Sequence, residues 1–192
     1  MPLTKTEVLA AALEILDSYG LADLSMRRLA ADLGVQPGAL YYHVANKQTL
    51  LVELADVVLA DLEPAGGPAV DPDADPSQVV RDFGARLYAL LRRHRSGAEL
   101  VSAALAMRPV DESPATGLAA RLERLGVDTD DAQALAHGTL HLVLGHALDD
   151  EQRRQYAQFN PDATTDGADP ARLDRALQLL GAGLAALATT PP

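Results

Sequence analysis

Residues 33–44 read LGVQPGALYYHV. Gly34 suits the C-terminal stop of one helix, and Pro37 suits the first turn of the next, where its missing N–H is not needed. The pattern therefore predicts a helix over 25–33, a tight turn, and a further helix that begins at Gln36-Pro37. In that further helix Leu40 and Val44 are four residues apart, so they share a face and turn inward. Gln36, Ala39, Tyr42 and His43 then face outward, with Tyr41 at the boundary. Aromatic residues make up only 4% of a chain whose helices are built from Leu, Ala and Val. Two adjacent tyrosines and a histidine on an outward face are placed to touch something other than the core.

The flanks continue the helical pattern. Thr4-x-x-Glu7 has the form of a capping box and opens a first helix. Val8, Ala11, Ala12, Ile15, Leu16 and Tyr19 fall on one face of it, and Gly20 ends it. Ser25 caps the second helix, whose inner face is Met26, Leu29, Ala30 and Leu33. Asn46 caps a fourth helix over 47–62. Three short helices with a glycine-containing turn between the second and third predict a helix-turn-helix, whose last helix enters the DNA major groove. Tyrosine hydroxyls and Lys47 suit phosphate oxygens, the Gln36 amide suits a base edge, and the small Gly38 and Ala39 let the helix come close.

Bulk composition neither forbids this nor points elsewhere. The chain has 192 residues, 48% of them hydrophobic, which predicts a folded core. No apolar run is long enough to span a bilayer, there is no secretory signal pattern, and cysteine is absent, so the expected compartment is the cytoplasm. The net charge of −11 argues against a nucleic-acid partner on its face. It is unevenly spread, however. Residues 1–47 carry −1 and the rest −10, and Arg27, Arg28 and Lys47 cluster around the quoted stretch.

Beyond the fourth helix the chain predicts a Pro/Gly/Asp-rich loop at 63–77 and helices over 77–94, 98–107, 114–125, 128–158 and 171–188, with a second polar loop at 160–170. The fold class is all-α: an N-terminal helix-turn-helix domain, 1–46, and a helical effector-binding and dimerisation domain, 47–192. In the last helix Leu173, Ala176, Leu177, Leu180, Leu184 and Leu187 form one stripe. The helix over 128–158 has Leu135, Leu140, Val143, Leu144 and Leu148 inside and is rich in Ala and Gly. Two such helices from each of two subunits would make a four-helix bundle; the alternative is that both stripes face the monomer core.

Residues 12–55, ALEILDSYGLADLSMRRLAADLGVQPGALYYHVANKQTLLVELA, resemble the TetR-type transcriptional repressors. The resemblance rests on Leu-Ala before a Leu-Gly-Val turn, Leu-Tyr-x-His closing the recognition helix, and Asn-Lys opening the fourth helix. It implies a homodimer that binds a palindromic double-stranded operator and is released by a small-molecule effector. It also implies that Arg27, Gln36, Pro37, Gly38, Ala39, Tyr42 and His43 line the groove, while Tyr41 and Lys47 hold phosphates. More faintly, residues 92–109 (RRHRSGAELVSAALAMRP) and 140–152 (LHLVLGHALDDEQ) are similar to segments of the tetracycline repressors.

Departures from those repressors bear on the effector. Glu63 stands in place of their drug-contacting histidine, Phe83 in place of an asparagine, and Leu87 in place of a phenylalanine. Their metal-binding histidine has no counterpart; Val101 and Ser102 stand nearby. His141 and Asp149 align with a histidine and a glutamate near the bound drug and its magnesium. The expectation is a bulky, mostly apolar effector bound without an obligatory metal or other cofactor. Glu63, His137 and His141 would fix its orientation, Phe83 and Leu87 would form the wall, and Met107 would adapt to its shape.

Two other readings stay open. One is a helix-turn-helix protein controlled by a protein partner. The other is a metal-dependent hydrolase built on the His and Asp groups of 128–158. The sequence has no nucleophile elbow, phosphate-binding glycine loop or His-Glu-x-x-His to support catalysis, so the expectation is that it is not an enzyme.

Overall fold

The computed structural model describes residues 3–62, 71–160 and 169–188. Among these there are nine α-helices and no strands: α1 (Lys5–Tyr19), α2 (Met26–Asp32), α3 (Pro37–Leu40), α4 (Lys47–Leu59), α5 (Pro76–Arg93), α6 (Gly97–Leu105), α7 (Pro114–Arg124), α8 (Thr129–Phe159) and α9 (Pro170–Ala188). None of the described helices is long and apolar enough to cross a membrane.

The helix starts are fixed by side chains that the sequence supplies. Thr4 and Glu7 form a reciprocal capping box at α1: the Thr4 oxygen accepts from the Glu7 N–H, and the Glu7 carboxylate accepts from the Thr4 N–H at 2.8 Å. The hydrogen bonds from the Thr4 side chain and then its backbone hold the Glu7 carboxyl below the usual glutamate range. This cap therefore contributes fully above the ordinary glutamate pKa and is lost as pH falls through the lowered one. Ser25 accepts from the Arg28 N–H at 3.2 Å to start α2, and Asn46 accepts from the Thr49 N–H at 2.8 Å to start α4. α4 ends three residues earlier than 62, the limit expected from periodicity, and Leu62, still buried, follows in a turn. Residues 63–70 of the expected first loop and 161–168 of the second lie outside the described residues.

Packing divides the chain into two compact units, Met1–Ala60 with Leu90–Pro109, and Asp61–Ala89 with Val110–Pro192. The boundary expected at 46/47 follows the helix-turn-helix pattern of the sequence. Packing groups the residues otherwise, because α4 and α6 pack against each other, and α1 packs on both α2 and α4. In this first unit Val8, Ala12, Leu16, Leu29, Leu40, Leu50, Leu54, Leu91 and Leu100 are fully buried or nearly so. Tyr19, placed on the inner face of α1 by spacing, is half exposed instead. Its ring lies under the Arg28 guanidinium, 3.7 Å from the centroid, so cation–π attraction holds it outside the core.

Both ends of α6 are fixed in this unit. At its C-terminal end Arg108 donates to the Val52 carbonyl at 2.9 Å and to Asp56 at 2.6 Å, both on α4. At its N-terminal end Ser96 adopts the left-handed conformation (φ 56°) and is 3% exposed. Gly97 follows, and a Cβ at Gly97 would overlap the Leu91 carbonyl oxygen.

The second unit is a helical packing of α5, α7, α8 and α9. α7 lies on α8, and α8 on α9. α9 is also tied to α5: Ser77 Oγ donates to the Gly181 carbonyl at 3.1 Å, Arg81 pairs with Asp174 at 3.2 Å, and Gly84 makes room for Leu177. Leu173 and Leu177 are thus committed to this unit's own core, at 3% and 1% exposure. This departs from a stripe reserved whole for a partner; among the described side chains of α9 the exposed leucine is Leu179. The side chains of Leu184 and Leu187 lie outside the described ones. In α8, Leu135, Leu140, Val143 and Leu144 are buried as expected, and Leu148 is half-buried.

Gly97→Ala should lower the urea midpoint of unfolding, with a loss of about 1–3 kcal/mol, because the opposing atom is backbone and cannot rotate away. An unchanged midpoint would mean that the turn relaxes around a methyl group.

Candidate nucleic-acid interface

The turn between α2 and α3 closes as its residues dictate. The N–H of Val35 donates to the Ala30 carbonyl at 2.9 Å and that of Gly34 to Ala31 at 3.2 Å, with Gly34 at φ 65°. A side chain at Gly34 would be strained in this conformation. α3 then opens with Gln36 and Pro37, and although regular only to Leu40, it continues as hydrogen-bonded turns. The N–H groups of His43 and Val44 both donate to the Leu40 carbonyl at 2.9 Å.

Leu40 and Val44 anchor this segment, at 0% and 1% exposure. The other face is open. Gln36, Pro37 and Gly38 are exposed, and Ala39 is half-buried beside them. Nothing lies within 4 Å of where a Cβ at Gly38 would stand. Tyr42 is 91% exposed and Tyr41 52%. The two tyrosines are neighbours in the chain, and their apolar faces and hydroxyls are open to a ligand on this side of α3. His43 and Lys47 are half-buried on the flank, and Arg27 is exposed on α2. All nine residues expected to face DNA belong to the first unit and to one stretch of twenty-one residues, 27–47. The arrangement offers amide and backbone donors, two cations and two phenolic hydroxyls around a stretch of small residues, which suits a polyanion with readable edges.

The effector candidates are distributed differently. Phe83 and Leu87, one turn apart on α5, are 2% and 0% exposed in the second unit. His137 and His141, one turn apart on α8, each donate from Nδ1 to the carbonyl four residues back at 2.9 Å, which leaves Nε2 as the acceptor. His137 is half-buried with its Nε2 buried and without a hydrogen bond, whereas His141 is exposed. Met107 is 44% exposed and belongs to the first unit. Glu63 lies outside the described residues. Among the described residues no group of three or more His, Asp or Glu side chains is placed to hold a metal ion.

Sequence reasoning missed the buried polar groups of the second unit. The Tyr88 hydroxyl donates to Asp150, and Asp150 and Glu151 are each only 7% exposed. Asp149, the acid singled out by alignment, is exposed and lies 3.7 Å from Arg153. The signal was available: the buried positions 140, 143, 144 and 147 of α8 extend by helical period to 150 and 151.

The model for "Bacterial regulatory proteins, tetR family" matches residues 8–54. Along most of its length the chain is also similar to solved structures. Mycobacterium smegmatis BioQ is 38% identical, with 96% of this chain and 98% of that one covered and a TM-score of 0.80. A structure of BioQ with its double-stranded DNA operator is 37% identical over 96% and 99% of the two chains, with a TM-score of 0.75. A single-residue variant of TetR from Acinetobacter baumannii AYE, in complex with minocycline, is 28% identical over 98% and 99%, with a TM-score of 0.79. The class E tetracycline repressor of Escherichia coli is 29% identical over 153 residues, which are 80% of this chain and 71% of the relative.

Gly38→Ala separates folding from approach to DNA. With open space around the new methyl, stability should stay level or rise by up to about 1 kcal/mol. Affinity for DNA should fall if this face meets base edges. Paired urea melts and gel shifts check both halves, and a fall in stability would contradict the placement of Gly38.

Proposed function

The chain belongs to the TetR family of bacterial regulatory proteins, and on that premise we propose that it is a ligand-responsive repressor that binds a palindromic operator as a homodimer in the cytoplasm. The observation that carries the DNA-binding part is the open face of α3, with Tyr42 91% exposed beside Gly38 and Ala39. The operator complex of BioQ supports the same use of the fold. Gln36, Pro37, Gly38 and Ala39 meet base edges. Arg27, Tyr42 and His43 line the groove, and Tyr41 and Lys47 hold phosphates. Dimerisation uses the outward faces of α8 and α9, where Ala134, Gly145 and Leu179 are exposed.

The effector is a bulky, mostly apolar organic molecule taken into the second unit beside Phe83 and Leu87, with Glu63, His137 and His141 orienting it. The minocycline complex of the Acinetobacter relative supports a small organic ligand for a chain of this fold. The buried, unbonded Nε2 of His137 supports a hydrogen-bond donor on the ligand. No metal is required, since the counterpart of the metal-binding histidine is missing. The ligand releases DNA only in so far as it binds the released state better; a tenfold loss of DNA affinity takes about 1.4 kcal/mol of coupling.

Selection from random double-stranded DNA should recover a palindrome whose half-sites are spaced by about one helical turn or somewhat more. Affinity should fall steeply with salt, as phosphate contacts release counterions. Lys47→Ala should weaken all sequences alike. Gln36→Ala should relax discrimination at particular base pairs by about 1–3 kcal/mol. Recovery of no enriched sequence, or wild-type gel shifts from Lys47→Ala, Tyr41→Phe and Tyr42→Ala together, would overturn the DNA assignment.

A second measurement addresses the effector. A panel of polycyclic apolar compounds, titrated with magnesium and then with a chelator, should release the operator equally in both. Phe83→Ala should raise the concentration needed. Release that depends on magnesium would overturn the metal-free pocket.

A further inference from the structure

The C-terminal end of α1 is gripped from two sides. From one side comes the turn that joins α5 to α6. The Asp17 carboxylate lies 3.0–3.1 Å from His94 Nδ1 and accepts from the backbone N–H of Arg95 at 3.1 Å. The Arg95 guanidinium donates to the Ser18 carbonyl at 3.0 Å. Gly20 completes the contact: it ends α1 at φ 87°, and a Cβ there would stand 3.3 Å from Ser96 Oγ and 3.5 Å from Arg95 Nε. From the other side comes α2. Arg28 covers the Tyr19 ring at 3.7 Å and pairs with Asp23 at 2.6 Å. α2 in turn packs on α3, the helix with the open face.

Four consecutive residues, 17–20, thus meet the α5–α6 turn and the helix-turn-helix at once. The turn itself has little freedom. Ser96 is left-handed and buried, and Gly97 stands against the Leu91 carbonyl. A rigid turn bound through several directional hydrogen bonds passes on a change of position, where an apolar contact would slide.

We infer that Asp17 and His94, with the Arg95 backbone, form a clasp that positions the DNA-reading helix from the α5–α6 turn, so that these residues set operator affinity without touching DNA. The inference rests on the DNA-binding reading above and adds the residues through which the far end of α6 acts on α3. Asp17 and His94 are positioning residues. The path runs from the Ser96-Gly97 turn through Asp17 and Ser18 to Tyr19, then through Arg28 into α2 and α3.

The test uses the full chain and an operator recovered by the native protein from random duplex DNA. His94→Leu and Asp17→Ala should each weaken binding roughly tenfold, and the double variant should lose no more than the weaker single one, because both break the same link. His94→Asn, whose side-chain amide puts a donor near the Nδ1 position that meets Asp17, should stay within about twofold of native by the same reasoning. Loss of a merely stabilising contact would lower the thermal midpoint without this pattern of non-additivity and rescue. Hydrogen exchange on the native protein is the second measurement, and it holds if a variant fails to fold. Operator binding should slow exchange of the Arg95 and Gly97 amides. Native operator affinity in both single variants, additive losses, or amide exchange indifferent to operator would each overturn the clasp while leaving the DNA-binding reading intact. Failure of the native protein to recover any operator would overturn both.

Discussion

Two side chains hold the recognition segment in place. Leu40 and Val44, one turn apart, are its buried points, and everything else from 36 to 43 is exposed or half-buried. This is a severe constraint on a four-residue helix. A helix this short has almost no stability of its own, because nucleation fixes several residues before hydrogen bonds repay the cost. The segment exists because Pro37 pre-sets the first turn, Gly34 permits the preceding bend, and two buried side chains fasten it to the core. The economy of anchoring is what leaves the opposite face free. Each further residue drawn into the core would be one fewer on the open face.

The rest of the first unit works to keep those two anchors seated. α1 supplies the wall, through Val8, Ala12 and Leu16, and α4 supplies Leu50 and Leu54. Lys5 reaches Glu53 at 2.7 Å across these two helices. α6, distant from both in the chain, is fastened by Arg108 to α4 and by the 94–97 turn to the end of α1. Most of these polar links are partly solvent-exposed, so each adds little to stability on its own. Their value is directional: they fix where α6 sits along α1 and α4, which apolar packing alone would leave less sharply defined.

How much of this was legible in the sequence depends on range. The caps at Thr4, Ser25 and Asn46 and the turn at Gly34 were readable because each involves residues at most a few positions apart. Helical periodicity also placed Leu40, Val44 and the inner residues of α8 correctly. For the apolar stripe of α9, periodicity shows which side is greasy and is silent on whether the neighbour is the same chain or another. Leu173 and Leu177 went to the core beside α5. Tyr19 was placed inside by spacing alone; its true partner, Arg28, becomes evident only once α1 and α2 are set against each other. The buried Tyr88–Asp150 pair escaped for the same reason. A polar residue on a buried stripe looks like an interruption until its partner on another helix is known.

The first unit is discontinuous in the chain: residues 1–60 close on residues 90–109. A stretch that ends at the helix-turn-helix, or even at the end of α4, would leave the packing surface of α4 uncovered where α6 belongs. The DNA-reading part is therefore a poor cassette. Cut out as a contiguous block, it leaves bare the surface of α4 that α6 covers, and a receptor that accepts it must supply a matching segment. Substitution on the open face of α3 is another matter, because the side chains there are exposed and answer hardly at all to the fold.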